Sequence, residues 1–273
     1  MLHESTPATP AAGNGRVFIE FGPRPDEPGQ IVHPGARESY PPEIRERLDR
    51  DARQILDRYR AMASGDVSPE TTARSALLPL LHLVQAEDGY ISPAGIEFCA
   101  PRVGLTAAEV AAVATFYSMY RRRPTGDYYV GVCTNTLCAV MGGDAILEAL
   151  EQHLELAPGE TTADGKITLE HLECNAACDY APVVMVNWEF FDNQTPASAR
   201  ALVDALRDGQ AVTPTRGATL CTFRETERIL AGFPDRRAGA AEAAEPGDAT
   251  LAGLRIAREQ DMTAPVPTSQ EGD

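Results

Sequence analysis

Two short stretches, Val132-Cys-Thr-Asn-Thr-Leu-Cys-Ala-Val-Met-Gly-Gly143 and Glu173-Cys-Asn-Ala-Ala-Cys-Asp-Tyr-Ala-Pro182, place four cysteines in two close pairs. Four residues separate Cys133 from Cys138, three separate Cys174 from Cys178, and 35 residues lie between the pairs. That gap is long enough for a helix and a strand that bring the two loops together. Four thiolates that meet at one place can bind an iron–sulfur cluster or a zinc ion.

The spacing favours iron over zinc. Structural zinc sites most often use tight knuckles of two intervening residues, although up to four occur. The pattern also differs from that of plant-type ferredoxins, C-x4-C-x2-C…C, and is a third arrangement. A zinc-stabilised scaffold without a redox role therefore remains an alternative.

The composition is that of an ordinary globular protein. The chain has 273 residues, of which 43% are apolar and 23% charged. No apolar run approaches the roughly 18 residues of a membrane span, and the N-terminus has no secretory signal. We therefore expect a cytoplasmic protein without direct membrane insertion, in which thiols stay reduced and six cysteines indicate metal or redox chemistry.

The negative charge is concentrated around the cysteines. The formal net charge is −16, and residues 126–212 alone hold 14 acidic and 3 basic side chains. A nucleic-acid surface needs the opposite sign, so no nucleic-acid partner is expected. The charge serves solubility, and it also opposes the addition of an electron to a cluster, which lowers the reduction potential.

Residues 41–120 have the pattern of a small helical bundle. The first helix begins near Pro42. A second begins at the N-cap Ser68 and is expected to run to Gly89 with a kink at Pro79. A third begins at Ser92-Pro93 and is expected to end before Pro101; a fourth begins with a capping box, Thr106-x-x-Glu109.

Residues 127–212 alternate between strands and helices, which indicates an open sheet flanked by helices. The predicted strands are 128–132, 167–172, 183–186 and 188–191, and the predicted helices are 144–153 and 195–208. The predicted organisation is a flexible arm (1–40), a helical bundle (41–123), a sheet domain that carries the cysteines (124–212) and a flexible tail that could bind a partner (213–273).

Four stretches, in this order, resemble a known family. They are Ala114-Thr-Phe-Tyr-Ser-Met-Tyr120, the first cysteine stretch, Gly159-Glu-Thr-Thr-Ala-Asp-Gly165, and the second cysteine stretch continued to Asn187. Together they resemble the thioredoxin-like [2Fe-2S] ferredoxin subunit of NADH-quinone oxidoreductase, which is bacterial respiratory complex I, over roughly residues 40–212.

The resemblance implies a fold, a cofactor and a function. The fold is of the mixed α+β/α/β class, with the helical bundle followed by a thioredoxin-like domain. The ligands of one [2Fe-2S] cluster are Cys133, Cys138, Cys174 and Cys178. The cluster exchanges single electrons with an FMN on the flavin- and NADH-binding partner subunit. A neighbouring iron–sulfur subunit of the peripheral arm is the second expected partner, at the inner face of the cell membrane.

The isolated chain is not expected to be catalytic, although the assembled complex is an oxidoreductase and translocase. Neither a dinucleotide nor a P-loop fingerprint occurs in the sequence, so NADH and FMN are assigned to the partner subunit. Related NAD-linked hydrogenases and formate dehydrogenases contain an equivalent ferredoxin subunit, and this alternative remains open.

The other cysteines and histidines are expected to have structural roles. Cys99 is predicted to be a small core residue, and Cys221 has no evident partner in the tail. His82, between two leucines, is expected in the core or at its boundary. His171 lies near Cys174, but four cysteines already complete a ligand set, and neither pair has the C-x-x-C spacing of a thioredoxin redox site.

Overall fold

The computed structural model describes residues 35–63, 68–242 and 245–263. The expected N-terminal arm lies outside these ranges up to residue 34. The first described part is helical, and its elements are α1 (Pro42–Arg60), α2 (Pro69–Arg74), α3 (Leu77–Asp88), α4 (Pro93–Val103) and α5 (Ala107–Phe116).

Three of these helices begin at the caps that the sequence predicts. The Ser68 hydroxyl accepts a hydrogen bond from the backbone N–H of Thr71 at 3.2 Å, and Ser92 caps α4 in the same way. Thr106 and Glu109 form the predicted capping box. Each cap satisfies a backbone donor that has no partner within its helix, which fixes where the helix starts.

The prediction of one helix kinked at Pro79 is wrong. The chain forms two helices there, because α2 ends at Arg74 and α3 begins at Leu77. Pro79 is the third residue of α3, and the N–H groups of a first turn have no partner in the helix, so proline is tolerated. The backbone hydrogen bonds of α3 start one residue later, from Leu80 to the carbonyl of Ala76 at 3.0 Å.

The prediction that the next helix ends before Pro101 is also wrong. α4 continues to Val103 and is capped by Gly104, which adopts the left-handed conformation with φ 65°. The Gly104 N–H donates to the carbonyl of Ala100 and closes the last turn. Glycine, which tolerates positive φ, therefore ends this helix, and the proline costs it only one backbone donor.

The helices share one apolar core. Burying a leucine or isoleucine side chain contributes about 1.5–3 kcal/mol, so this core holds the helices together. Its largest buried members are Leu48 and Ile55 of α1, Leu80, Leu81 and Val84 of α3, and Phe98 of α4. In the described ranges no helix combines the length and the apolar character that crossing a membrane requires.

The second part of the chain is a mixed sheet flanked by helices. Its elements are β1 (Tyr128–Cys133), α6 (Thr136–Val140), α7 (Gly143–Leu154), β2 (Ile167–Leu172), a 3-10 turn (Cys178–Tyr180), β3 (Val184–Val186), β4 (Glu189–Phe191) and α8 (Pro196–Arg207). The strand order is β2-β1-β3-β4.

The register of the sheet brings the two cysteine loops to one edge. β1 and β2 are parallel, with Cys133 opposite Leu172, whereas β3 is antiparallel to both β1 and β4. A parallel pair needs a crossover connection, which α6 and α7 provide. The carboxyl ends of β1 and β2 therefore lie side by side, and the chain leaves each of them toward a cysteine pair.

One face of the sheet packs against α7 and α8. Ile146 and Leu150 of α7 and Val203 and Leu206 of α8 are buried against the strands. The strand residues that meet them are apolar on this face: Val130, Val132, Ile167, Leu169, Val184 and Val186. The alternating elements predicted for residues 127–212 are thus present, and their burial fixes the position of β1 and β2.

The structure differs from the expectation of a flexible tail over residues 213–273. This segment contains α9 (Phe223–Leu230) and α10 (Asp248–Glu259). Phe223 is fully buried with Tyr129 and Met185 of the sheet. The buried Glu227 carboxylate accepts a hydrogen bond from Trp188 Nε1 at 3.0 Å and lies 2.6 Å from His82 Nδ1. α9 therefore joins the helical part to the sheet.

Candidate iron–sulfur site

The structure places the four cysteines at the edge where β1 and β2 end. Cys133 is the last residue of β1, and Cys138 lies in α6. Cys174 follows β2 by two residues, and Cys178 opens the 3-10 turn. Cys133 and Cys138 are each 2% exposed, whereas Cys174 and Cys178 are exposed. The site thus has one buried and one accessible pair of thiols.

The first pair is supported by regular structure on both sides. The Cys133 N–H donates to the Val183 carbonyl at 3.2 Å, which continues the pairing of β1 beyond β3. Gly143 lies against the backbone of this loop, and a Cβ there would be 2.4 Å from the Cys133 oxygen and 2.9 Å from the Cys138 oxygen. Only glycine permits this close approach of the two backbone segments.

Helix α6 was not predicted, because the four residues after Cys133 were interpreted as a turn. It has five residues, which is too short to display a helical repeat of apolar positions. The helix turns Cys138 inward while Leu137, Val140 and Met141 stay exposed. The buried cysteine is therefore presented by the helix and not by a flexible loop.

The second pair is held by its own short loop. The Cys174 and Cys178 sulfurs are 3.6 Å apart, and the Ala176 N–H donates to Cys174 Sγ at 3.4 Å. Ala176 has φ 56°, in the left-handed region, which aims its N–H back at the sulfur. Two thiolates on one tetrahedral metal with bonds of about 2.3 Å lie roughly 3.8 Å apart, so this spacing suits a shared metal.

The two loops contact each other directly. Asn135 Nδ2 donates to the Leu172 carbonyl at 3.4 Å and to the Glu173 carboxylate at 3.2 Å. Beneath them, the two buried cysteines pack with Ala177, Ala181 and Val183. The peptide bond between Ala181 and Pro182 is cis, which the sequence alone does not determine. The second loop is therefore folded onto the first.

The thiols influence one another electrostatically. The pKa of Cys138 is raised to about 11, chiefly by burial and further by the hydrogen bond with Cys133 and the charges of Cys133 and Cys178, against a backbone hydrogen bond from Val183. The pKa of Cys178 is raised by its hydrogen bond with Cys174, then by desolvation and by negative neighbours that include Cys133. Both shifts require sulfurs of the two pairs to be near one another.

This donor set fits an iron–sulfur cluster. Thiols that resist ionisation together become thiolates when a metal cation binds between them. The Asn175 side-chain nitrogen, between the ligands of the second pair, is buried with no hydrogen-bond partner, and cluster sulfur is an acceptor for such a donor. Among the described residues, no three cysteine, histidine or carboxylate side chains enclose a single point, so the thiols are grouped two and two.

The remaining cysteines and histidines lie outside this set. Cys99 is fully buried in the helical core, as predicted, and burial raises its pKa to about 12. Cys221 is half-buried, with its sulfur 3.3 Å from the Thr226 hydroxyl. His82 is engaged by Glu227 at the boundary of the core, and His171 is an exposed residue of β2 beside Glu170.

Residues beyond position 212 also reach the site, which the sequence analysis missed. Arg216 binds Asp179, the residue after Cys178, and Thr250 donates a hydrogen bond to the same carboxylate. Tyr180, in the same turn, accepts a hydrogen bond from the Ala249 N–H at 3.3 Å. No spacing in the sequence relates these residues to the cysteines, because the contacts depend on how the C-terminal segment folds back.

Comparisons with known proteins agree on the family. A family model described as thioredoxin-like [2Fe-2S] ferredoxin matches residues 63–207, which include all four cysteines. The NADH-quinone oxidoreductase subunit of Mycobacterium tuberculosis that bears the letter E is 63% identical over 249 residues, 91% of this chain and 94% of the relative. NADH-quinone oxidoreductase subunit 2 of Thermus thermophilus is 41% identical over 143 residues, 52% of this chain and 79% of the relative.

Among solved structures, an NAD+-reducing [NiFe]-hydrogenase matches with 22% identity and a TM-score of 0.45, covering 49% of this chain and 23% of the hydrogenase chain.

Proposed function

Because this chain belongs to the thioredoxin-like [2Fe-2S] ferredoxin family, we propose that Cys133, Cys138, Cys174 and Cys178 are the ligands of its [2Fe-2S] cluster. The chain is an electron-transfer subunit of an NADH-quinone oxidoreductase, the complex for which its 63% identical relatives are named. The observation that supports the ligand assignment is the meeting of two thiol pairs where the parallel strands β1 and β2 end.

Each thiol pair is assigned to one iron. Cys133 and Cys138 would hold the inner iron, fixed by β1, α6 and the close approach of Gly143. Cys174 and Cys178 would hold the outer iron, with sulfurs already 3.6 Å apart. A bound [2Fe-2S] cluster accepts and releases one electron at a time.

The surrounding backbone and side chains tune that site. The Ala176 N–H donates to the Cys174 sulfur, and the Asn175 amide is a further donor without a protein partner. Such donors stabilise negative charge on sulfur and raise the reduction potential, whereas nearby carboxylates such as Glu173 lower it. The exposure of Cys174 and Cys178 leaves the outer pair open to an electron-transfer partner.

The partner in this proposal is a flavoprotein. NADH gives up two electrons as hydride, and a one-electron centre needs a flavin between itself and NADH. We assign FMN and NADH to a flavin- and NADH-binding subunit, and the next position to a neighbouring iron–sulfur subunit of the peripheral arm. The chain would then lie on the cytoplasmic side of the membrane as a peripheral part of the complex.

The test is the reduction of the cluster by NADH. Under anaerobic conditions, NADH should not bleach the visible absorption of the isolated full chain, and it should do so once the flavoprotein partner is added. A Cys178→Ala variant with the same flavoprotein is the matched control for absorption that originates in the flavin. Bleaching of the flavin-free chain by NADH alone would contradict the proposal.

A further inference from the structure

A single arginine binds both acidic residues of the outer loop region. Arg216 Nε and Nη2 donate to the two oxygens of Asp192 at 2.9 Å each, and Nη2 also donates to Asp179 Oδ1 at 2.9 Å. Asp179 directly follows the ligand Cys178. Charge-assisted hydrogen bonds of this geometry are among the strongest that side chains form. The guanidinium is thus a connection between the second cysteine loop and the chain after β4.

The position of Arg216 is itself fixed by the sheet and by aromatic rings. Arg216 forms an antiparallel bridge with Phe190, and the preceding Thr215 N–H donates to the Phe190 carbonyl at 2.9 Å. The guanidinium carbon lies 5.5 Å from the centre of the Tyr180 ring and 5.7 Å from that of Phe190. Phe190 packs on the apolar cluster that contains the two buried cysteines. The cation therefore lies next to the site within a defined framework.

The turn that contains Cys178 has a second support from α10. Thr250 donates to the other oxygen of Asp179, and the Ala249 N–H donates to the Tyr180 hydroxyl. These hydrogen bonds, from Thr250 first and then from Arg216, hold the pKa of Asp179 below its usual range. Asp179 is therefore ionised at neutral pH, and its charge adjacent to Cys178 is balanced mainly by Arg216.

We propose that Arg216 is a positioning residue for the outer iron: it fixes the Cys178–Tyr180 turn through Asp179 and raises the reduction potential by offsetting the carboxylates beside the cluster. This inference rests on the proposed ligand set. Arg216, Asp179 and Asp192 together carry one negative charge, and removal of the guanidinium leaves two. The added charge opposes the incoming electron, so the potential falls.

The test is a redox titration of the full chain with its cluster in five forms besides the wild type. Arg216→Gln should have a lower potential, and Arg216→Lys, which keeps the charge, should stay close to the wild type. Asp179→Asn should have a higher potential. The double variant Arg216→Gln/Asp179→Asn restores the net charge and should return toward the wild-type value. Arg207→Gln is the matched control, because Arg207 pairs with Asp164 away from the cysteines.

The positioning role has a separate readout, the rate at which a chelator removes iron. Loss should be faster in Arg216→Gln and in the double variant than in the wild type, and intermediate in Arg216→Lys, which lacks the planar fork. If Arg216→Gln fails to retain a cluster, the double variant must still retain more iron than Arg216→Gln, because no uncompensated carboxylate remains next to Cys178.

An unchanged or higher potential in Arg216→Gln, with a cluster present, would overturn the inference but leave the ligand assignment intact. The same is true if Arg207→Gln lowers the potential as much. A wild-type chain that binds no iron would instead contradict the proposed function itself. The two failures are therefore distinguishable in one set of preparations.

Discussion

The two cysteine pairs serve the same cluster in the proposed function, yet the fold supports them in different ways. The pair Cys133 and Cys138 is buried, and its loop is set by a strand, a short helix and the close approach of Gly143. The pair Cys174 and Cys178 is exposed, on a loop whose ends are held by Asn135, Arg216 and Thr250. Local structure forms the first half of the site, and long-range contacts form the second.

This difference indicates how the site divides its tasks. A buried, rigid pair fixes the position of one iron within the domain, because moving it would disturb the sheet. An exposed pair leaves the other iron near the surface, where an electron can pass to or from a partner. The contacts from residues beyond position 212 then limit the mobility that exposure would otherwise allow.

The largest effect is expected from removing a ligand of either pair. Replacing Cys133, Cys138, Cys174 or Cys178 by Ala should abolish or severely destabilise the cluster, because three thiolates leave one iron with an incomplete coordination shell. Cys99→Ala and Cys221→Ala are the controls and should retain iron and sulfide. Assays of both elements in the six variants test this, and full cluster retention in any of the first four would contradict the assignment.

The next largest effect should distinguish the buried pair from the exposed one. Gly143→Ala inserts a methyl group into the space between the Cys133 and Cys138 carbonyls. Overpacking of this kind costs roughly 1–3 kcal/mol, so both thermal stability and cluster content should fall. Gly253→Ala in α10 is the control, because nothing lies within 4 Å of the added atom and alanine favours a helix. Equal behaviour of the two variants would show that the close approach is unimportant.

A smaller, pH-dependent difference is expected in the metal-free protein. Exposed Cys174 and Cys178 should react with iodoacetamide before the buried pair, as peptide mass spectrometry can measure. With a pKa of about 11, roughly one Cys138 thiol in a thousand is ionised at pH 8, so its alkylation should increase only as the pH approaches 11. Faster modification of Cys138 than of Cys174 at pH 8 would contradict the burial difference.

The same pKa has a consequence for stability. In the folded metal-free chain Cys138 binds its proton more tightly than an unfolded cysteine, whose pKa is about 8.5. The stabilisation is therefore fully present below about pH 8.5 and is lost as the pH rises toward about 11. Urea unfolding at pH 7.5 and pH 10 checks the sign, and Cys138→Ala should reduce the difference between the two pH values.

The smallest effect concerns the charge next to the exposed pair. Glu173→Gln should raise the reduction potential slightly, because one fewer negative charge opposes the electron. Water and salt screen this exposed carboxylate, so the shift should shrink further as the ionic strength increases. A redox titration at two salt concentrations, with Glu148→Gln on the outer face of α7 as the control, tests this. A fall in potential in Glu173→Gln would show that the field effect has the wrong sign.

Sequence alone indicated the candidate ligands and most of the fold, because those features leave local signals. The paired cysteines, the capping box at Thr106 and the alternating strands are each visible within a few residues. The positions of Pro79 and Pro101 were misjudged, since a proline excludes certain hydrogen bonds but does not say where a helix begins or which residue caps it. The ligand assignment itself stays a prediction.

The support of the second pair could not be predicted, for a physical reason. Arg216 and Thr250 reach Asp179 only because the chain after residue 212 folds back toward the second cysteine loop, and their spacing in the sequence has no regular relation to the cysteines. α9 and α10 are short, and the partners of the apolar residue Phe223 are strand residues far earlier in the chain. Such contacts depend on tertiary packing, which a pattern of neighbouring residues does not encode.

The most direct test of the central claim is the metal and sulfide content of the full chain purified aerobically, with its visible absorption and the electron paramagnetic resonance spectrum after reduction. The account predicts a coloured protein with two irons and two acid-labile sulfides per chain and, once reduced, the signal of one unpaired electron. A colourless protein with one zinc and no sulfide would contradict it, and would instead establish the cysteines as a structural zinc site.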